Sequence, residues 1–221
     1  MEYSVIVKGP NGPMKKAIQD RLTSISRIEE GSNNPLEIGI GVEARDLSIL
    51  RNGQQQRTSS PCIFVRDVVT DIEDVFWSDG LFHSIIRDAI SGKPIPVYPP
   101  EPRYWLPVQD VANAIRAMVV RNLFPCSDDP IQMAGRRPWE NRALHSEALH
   151  LWKRFRASTM GIHTPETLSE PPIHISTHPA VTERPDLSGL NDLMIACEEP
   201  NGWRPSGSLR LSIMRVLATL T

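Results

Sequence analysis

The segment of the chain with the most varied chemistry is "EPRYW", residues 101–105. The guanidinium group of Arg103 is suited to clamp a carboxylate through two parallel hydrogen bonds. Desolvation of Glu101 by Tyr104 and Trp105 would raise the pKa of its carboxyl toward the range that suits a general acid or base. We therefore predict Glu101 as a catalytic residue and the other three as substrate-binding residues. A solvated turn glutamate and an Arg103 held in a structural ion pair remain the alternatives.

Two further residues are candidates for the same pocket. Arg66 follows the apolar stretch "CIFV", and ligands of open α/β sheets gather beyond the carboxyl ends of the strands. His83 stands beside Phe82 one turn into a predicted helix, where an imidazole can transfer protons near neutral pH. We predict Arg66 as a substrate-binding residue and His83 as a second catalytic residue. A salt-bridged strand end and ordinary half-buried packing are the alternatives for these two positions.

Metal, disulfide and covalent chemistry have little support in the sequence. His145 and His150, and the pair in "HISTH", have no further carboxylate or cysteine at a recognisable ligand spacing. The chain has 3 cysteines, an odd number at distant positions, which does not indicate a disulfide framework. No serine elbow or catalytic cysteine motif is visible. We expect no metal and no covalent nucleophile.

Composition excludes several classes of partner. The 221 residues carry 24 basic and 26 acidic side chains, so no basic excess is present to neutralise a nucleic-acid backbone. No apolar run approaches the roughly 20 residues of a membrane span, and "MEYSVIVKGPNG" lacks the features of a signal peptide. We predict a cytoplasmic protein with a small-molecule substrate, and neither a nucleic acid nor a membrane as partner.

Hydrophobic periodicity and turn residues predict alternating strands and helices. Strands are predicted at "YSVIVKG", "LEIGIGV", "CIFVRDVV", "PIPVY" and "PIQMAG". Helices are predicted at "MKKAIQDRLTSI", "LFHSIIRDAISG", "DVANAIRAMVVRNL", "NRALHSEALHLWKRF" and "GWRPSGSLRLSIMRVLATL". Gly92 is placed to end the second of these helices, and Asp110 is a candidate N-cap for the third.

Three motifs occur in the order expected of a known family. From about Pro61 onward, "FHSIIRDAISGKPIPVY", "RYWLPVQDVANAI" and "GWRPSGSLRLSI" resemble the second half of the extended short-chain dehydrogenase/reductases (SDRs), the NAD-dependent sugar epimerases and dehydratases. The resemblance implies an α/β fold with a truncated Rossmann-like sheet and a small C-terminal substrate subdomain. It implies a residual α/β segment at residues 1–60 and a substrate-side region at 61–221, packed as one domain. Arg103 matches the arginine that contacts substrate phosphate in sugar-nucleotide members.

The cofactor half of that family is not matched. In the family a Tyr-x-x-x-Lys pair is catalytic, but the residues four positions after Tyr3, Tyr98 and Tyr104 are Val7, Pro102 and Val108. The stretch "GPNGPMK" has a lysine where the family's third glycine belongs, and its prolines remove backbone N–H donors. We therefore predict that the chain has no cofactor and does not bind NAD or NADP.

These observations lead to one main functional hypothesis. We predict a small biosynthetic enzyme that uses cofactor-independent acid/base catalysis on a carboxylate-bearing molecule, of the kind seen in microbial Pictet–Spengler enzymes that form β-carbolines. The alternative is a non-catalytic binding or partner subunit, for which Glu101 would be exposed and no enclosed pocket would adjoin Arg103. An NAD(P)-dependent epimerase or dehydratase is the least favoured reading. We also expect a homodimer, formed by a surface other than the family's usual one.

Overall fold

The structure, a computed structural model, describes residues 4–24, 35–53, 60–74, 76–92, 97–126, 129–162, 164–165 and 184–220. The strands are β1 (Val5–Lys8), β2 (Leu36–Ile40), β3 (Leu47–Arg51), β4 (Cys62–Val65), β5 (Val68–Val69), β6 (Leu106–Pro107) and β7 (Ile131–Met133). The helices are α1 (Pro13–Thr23), α2 (Leu81–Ser91), α3 (Val108–Arg121), α4 (Asn141–Met160), α5 (Ser188–Ala196) and α6 (Leu209–Leu220).

The described strands form one parallel sheet of five and one parallel pair. The larger sheet has the order β1-β2-β3-β4-β7, and β5 pairs with β6. Helices α1 and α3 pack together, and their buried residues share one core with the inward faces of the strands. Helices α2, α4 and α6 enclose a second core around Phe82, Leu144 and Ile213. This arrangement confirms the predicted α/β class.

Strand β3 lies in a region to which the sequence analysis assigned no element. The return from β2 to β3 uses residues 41–46, although parallel neighbours usually need a crossover of about a dozen residues. Here the chain has to go back only from Ile40, the end of β2, to the level of Ile38, because Leu47, the first residue of β3, pairs with Ile38. A Cβ atom on Gly39 would lie 2.2 Å from the carbonyl oxygen of Val42, so the glycine permits this tight return.

The stretch "CIFVRDVV" is two strands rather than the single strand predicted. The break is at Asp67, whose φ of 52° lies in the left-handed region that aspartate tolerates better than most residues. Its carbonyl oxygen accepts the N–H of Leu106, which starts the pairing of β5 with β6. The chain therefore turns at the carboxyl end of β4 and leaves Arg66 and Asp67 at the edge of the sheet.

Asp110 does not cap α3, and the N-cap prediction is wrong. The helix begins at Val108, and the buried carboxylate of Asp110 instead accepts the N–H groups of Ser206 and Gly207 at 2.9 and 3.0 Å. A Cβ atom on Gly207 would lie 2.5 Å from Asp110 Oδ2, so this contact requires a glycine there. Two motifs that are distant in sequence are thus joined directly before α6.

The other local predictions have mixed outcomes. Gly92 ends α2 in the left-handed conformation, with φ 66°, as predicted. The predicted strand "PIPVY" falls mainly on residues 94–96, outside the described residues. The division of the chain at residues 60 and 61 stays a prediction, although β3 and β4 pair across that boundary. None of the described helices is both long enough and apolar enough to cross a membrane.

Candidate functional site

A pocket of about 120 Å³ lies at the carboxyl edge of the larger sheet. Arg51 is the last residue of β3, and Arg66 and Asp67 directly follow β4, so the sheet itself brings these side chains together. The lining residues are Arg51, Asn52, Val65, Arg66, Asp67, Trp77, Ser78, Asp79, Arg103 and Trp105. Open α/β sheets bind ligands at this edge, which makes the pocket the candidate functional site.

Asp67 is the organising residue of the pocket. Its carboxylate accepts hydrogen bonds from Arg103 Nη1 at 3.1 Å and from the backbone N–H of Tyr104 at 2.9 Å. Arg66 Nε lies 3.5 Å from the same group. The side chain of Asp67 is only 4% exposed, so these contacts are little screened by water. The strained turn that ends β4 therefore also fixes the segment containing Arg103 and Tyr104.

Arg103 is held between two carboxylates. In addition to Asp67, its Nη2 donates to Asp79 Oδ2 at 2.6 Å. Burial lowers the pKa of the guanidinium, but the charges of Asp67 and Asp79 outweigh burial and raise that pKa above its ordinary value. Its backbone pairs with Trp139 in an isolated antiparallel bridge. Arg103 is therefore in the ion pair that the sequence left as an alternative, while its side chain still lines the pocket.

The balance of charge in the pocket favours an anion. Three guanidinium groups, of Arg51, Arg66 and Arg103, face the two carboxylates of Asp67 and Asp79. Arg66 lies 5.8 Å from the centre of the Tyr104 ring, which supports its planar group from one side. Arg51 Nη1 donates to the carbonyl oxygen of Phe76 at 3.4 Å, and its side chain lines the same pocket.

Glu101 lies apart from this group. It is exposed and is not among the residues that line the pocket, so the expectation that Glu101 and Arg103 face one cavity is not met. The chain bends at residues 100–101, before Arg103 joins Trp139 in the backbone bridge. The predicted catalytic role of Glu101 is untested and stays a prediction.

His83 is also outside the pocket. It is buried in α2, with its ring edge-on to Phe82 at 5.9 Å between ring centres. Burial, assisted by the charge of Arg87, lowers the pKa of His83 despite the opposing charge of Glu73. Trp105, by contrast, does line the pocket, while Tyr104 contributes its backbone and the ring beneath Arg66. Of the six predicted residues, three therefore line the pocket, Tyr104 lies beside it, and Glu101 and His83 lie away from it.

A second polar group lies between α2 and α4. Tyr98 donates its hydroxyl to Asp88 Oδ2 at 3.2 Å, and its ring centre is 6.0 Å from that of His145. His145 is 2% exposed, and neither ring nitrogen has a hydrogen-bond partner among the described residues. Burial lowers the pKa of His145, and the charge of Asp88 opposes this only in part.

This buried histidine predicts a pH-dependent stability. The unfolded chain binds a proton at His145 near pH 6.5, but the folded protein keeps the ring neutral to lower pH. The free energy of unfolding should therefore fall as the pH drops below about 6.5, by at most about 1.4 kcal/mol per pH unit from this residue. Urea unfolding between pH 7.5 and 5.5 should show a smaller decline for His145→Leu than for the parent. A control is His150→Leu, at a half-exposed position on the same helix. Equal pH dependence in parent and His145→Leu would contradict the expectation.

The described residues contain no group of three or more His, Cys, Asp or Glu side chains that could hold a metal ion. The second histidine pair of the sequence, in "HISTH", lies outside the described residues. The expectations of a homodimer and of no nucleic-acid partner are untested and stay predictions.

Comparison with known proteins gives a likeness of fold. No protein-family model matches the chain, and no curated protein is significantly similar to it. Crystal structures of the Bordetella bronchiseptica enzyme WbmF are similar over 99% of this chain. The complex with NADH has a TM-score of 0.54 and 11% sequence identity, and the match covers 93% of that chain. The complex with NAD+ has a TM-score of 0.54 and 12% sequence identity, and the match covers 94% of that chain. The complex with NAD+ and UDP has a TM-score of 0.52 and 11% sequence identity, and the match covers 93% of that chain. The fold is SDR-like.

This SDR-like fold corrects the main functional hypothesis. The hypothesis combined SDR ancestry with loss of the cofactor and a Pictet–Spengler-type condensation. The solved structures that share the fold over almost the whole chain are complexes with NAD+ or NADH. The cofactor-independent reading is therefore contradicted.

The amino end of α1, where an SDR-like fold would hold the diphosphate of NAD, does not fit that group. Pro13 at the first helical position lacks an N–H, and Lys15 Nζ donates to the carbonyl oxygen of Gly9 at 3.0 Å. A Cβ atom on Gly12 would lie 3.1 Å from Asp74 Oδ2, so a carboxylate already stands where an anion would approach. A second negative group there would be repelled. Among the described residues, the pocket lined by arginines has a charge that suits a diphosphate better than the amino end of α1 does.

Arg51 and Asp79 are two charged pocket residues that the sequence analysis did not single out. The signal for Arg51 was present, because "LSILRNG" is a short apolar run followed by a polar turn, which is typical of a strand and its carboxyl end. Recognising that strand would have placed Arg51 by the rule already applied to Arg66. Asp79 had no local signal, because its contact with Arg103 joins residues 24 positions apart.

Proposed function

We propose that this chain binds a diphosphate-bearing nucleotide, with the diphosphate in the pocket formed by Arg51, Arg66 and Arg103. The observation that carries the proposal is the convergence of three guanidinium groups against two carboxylates in one small pocket. Guanidinium groups bind phosphate oxygens through charge-assisted, often paired hydrogen bonds. The nucleotides held by the WbmF structures, NAD+, NADH and UDP, all contain a diphosphate.

The size of the pocket indicates which part of a ligand it takes. Pockets that enclose a whole small molecule usually have volumes of roughly 300–1,000 Å³. The volume of about 120 Å³ here suits a phosphate group and a few neighbouring atoms. The nucleoside would then lie outside the pocket, across the carboxyl edge of the sheet. Trp77 and Trp105 at the pocket wall offer apolar surface to the part nearest the phosphate.

Arg66 should be the side chain that contributes most to affinity. Its contact with Asp67 is long, at 3.5 Å, and Tyr104 supports its guanidinium from below. Arg103 instead makes close contacts with two carboxylates. Turning its donors toward a ligand therefore breaks weaker existing contacts for Arg66 than for Arg103.

Calorimetric titration tests the proposal. We expect UDP, NAD+, NADH or inorganic diphosphate to bind at concentrations up to about 1 mM. Arg66→Gln should weaken the affinity for the ligand roughly 10- to 100-fold, because a hydrogen bond to a charged group contributes about 1.5–3 kcal/mol. Arg116→Gln, at an exposed position on α3, is the control that removes the same charge away from the pocket. Absence of binding by all four compounds, or equal binding by Arg66→Gln and the parent, would overturn the proposal.

A further inference from the structure

The two carboxylates that hold Arg103 differ in a way that bears on ligand binding. Asp67 is 4% exposed and also accepts the N–H of Tyr104, so removing its contact with Arg103 would strand a buried charge. Asp79 is 36% exposed and lines the pocket. An ion pair at such an exposed position contributes little to stability and is easily replaced. Asp67 is therefore the fixed partner of Arg103, and Asp79 is the exchangeable one.

Asp79 also lies where a ligand anion would contact Arg103. Its Oδ2 accepts from Arg103 Nη2 at 2.6 Å, which is the geometry that a phosphate oxygen would adopt on the same nitrogen. Its other oxygen accepts the N–H of Leu81 at 3.1 Å, at the start of α2. Gly80, between these residues, has a φ of 75°, so the turn that carries Asp79 uses a conformation favoured by glycine.

We infer that Asp79 is an internal competitor for the anion site, and that a diphosphate must displace its carboxylate from Arg103 in order to bind. This inference rests on the proposed function and assigns Asp79 the role of setting the affinity of the pocket for anions. While Asp79 contacts Arg103, both terminal nitrogens of its guanidinium group donate to carboxylates. When Asp79 turns away, Arg103 Nη2 becomes available for a ligand beside Arg66.

Asp79→Asn is the direct test, because asparagine keeps the size of the side chain and an acceptor for the N–H of Leu81 while it removes the charge. A carboxylate about 5 Å from a bound anion repels it enough to weaken binding at least about fourfold in water, and more in a partly buried pocket. We expect Asp79→Asn and Asp79→Ser to bind inorganic diphosphate and UDP at least about fourfold more tightly than the parent. The gain should shrink as the salt concentration rises.

Asp71→Asn is the matched control, because Asp71 is 49% exposed, does not line the pocket and loses the same charge on substitution. Its affinity for diphosphate should equal that of the parent. If the parent binds diphosphate and the two Asp79 variants bind it no more tightly, the inference fails while the proposed function stands. If neither the parent nor the Asp79 variants bind, both fail. Thermal melting of each variant shows whether a loss of binding comes from unfolding.

Discussion

Replacing Asp67 by alanine should lower the free energy of unfolding by about 3–5 kcal/mol, since it removes a buried carboxylate that pairs with Arg103 and accepts a backbone hydrogen bond. Arg103 would lose its buried partner, and the N–H of Tyr104 would lose its acceptor. Alanine also tolerates the φ of 52° at this position less well than aspartate does. Binding of diphosphate should be lost with the stability, because Asp67 fixes the positions of Arg66 and Arg103.

Urea unfolding measures this effect, with two comparisons. Asp67→Asn should lose less stability than Asp67→Ala, because asparagine keeps an acceptor for Tyr104 and tolerates a positive φ. Asp71→Ala removes an exposed carboxylate 3.8 Å from Arg215 and should change stability by no more than about 1 kcal/mol. A loss below about 1 kcal/mol for Asp67→Ala would show that Asp67 does not organise the pocket.

Gly9→Ala should be the most damaging single substitution at the start of the chain, with a loss above about 4 kcal/mol or failure to fold. Gly9 has a φ of 119°, and a Cβ atom there would lie 2.1 Å from the carbonyl oxygen of Ile40. That oxygen belongs to the backbone of a central strand and cannot move without disturbing the pairing of β2 with β3. The glycine is thus required by the packing of the sheet.

Gly53→Ala separates the two causes of that loss. Gly53 also has a positive φ, of 89°, but among the residues that the structure describes no atom lies within 4 Å of the position of an added Cβ. Its replacement should cost only the backbone strain, about 1–2 kcal/mol. Expression yield and thermal melting of the two variants provide the comparison. Similar losses for Gly9→Ala and Gly53→Ala would mean that the close contact with Ile40 is relieved elsewhere in the fold.

Features with a local physical cause were predictable from the sequence. The apolar stripe of α6 and the glycine that ends α2 follow from helical periodicity and from the conformation of a helix end, and both are present. Strand β3 was missed because its five residues are almost all buried, which removes the alternation of apolar and polar residues that marks a half-exposed strand. Because β3 was missed, the position of Arg51 at its carboxyl end was missed as well.

Features that depend on contacts between distant segments were not predictable in the same way. Asp110 has the residue type and position of an N-cap, but the loop at Ser206 and Gly207 provides better partners for its carboxylate. Glu101 and Arg103 are separated only by Pro102, yet a bend in the chain and the bridge to Trp139 separate their side chains. Sequence proximity therefore did not imply a shared pocket.

The functional hypothesis failed for a different reason. The missing Tyr-x-x-x-Lys pair and the altered glycine loop are statements about how one family binds and uses its cofactor. They carry no information on whether a nucleotide binds elsewhere on the same edge of the sheet. The arginines that favour an anion there come from the ends of β3, β4 and the segment before β6, which only the fold brings together.

A crystal structure of the chain grown with UDP at saturating concentration tests the central claim most directly. We predict diphosphate oxygens within hydrogen-bond distance of the guanidinium groups of Arg66 and Arg51, at the carboxyl ends of β4 and β3, with the nucleoside outside the pocket. A ligand seated at the amino end of α1 beside Gly12 and Asp74, or an arginine pocket that stays free of ligand at saturation, would contradict the account.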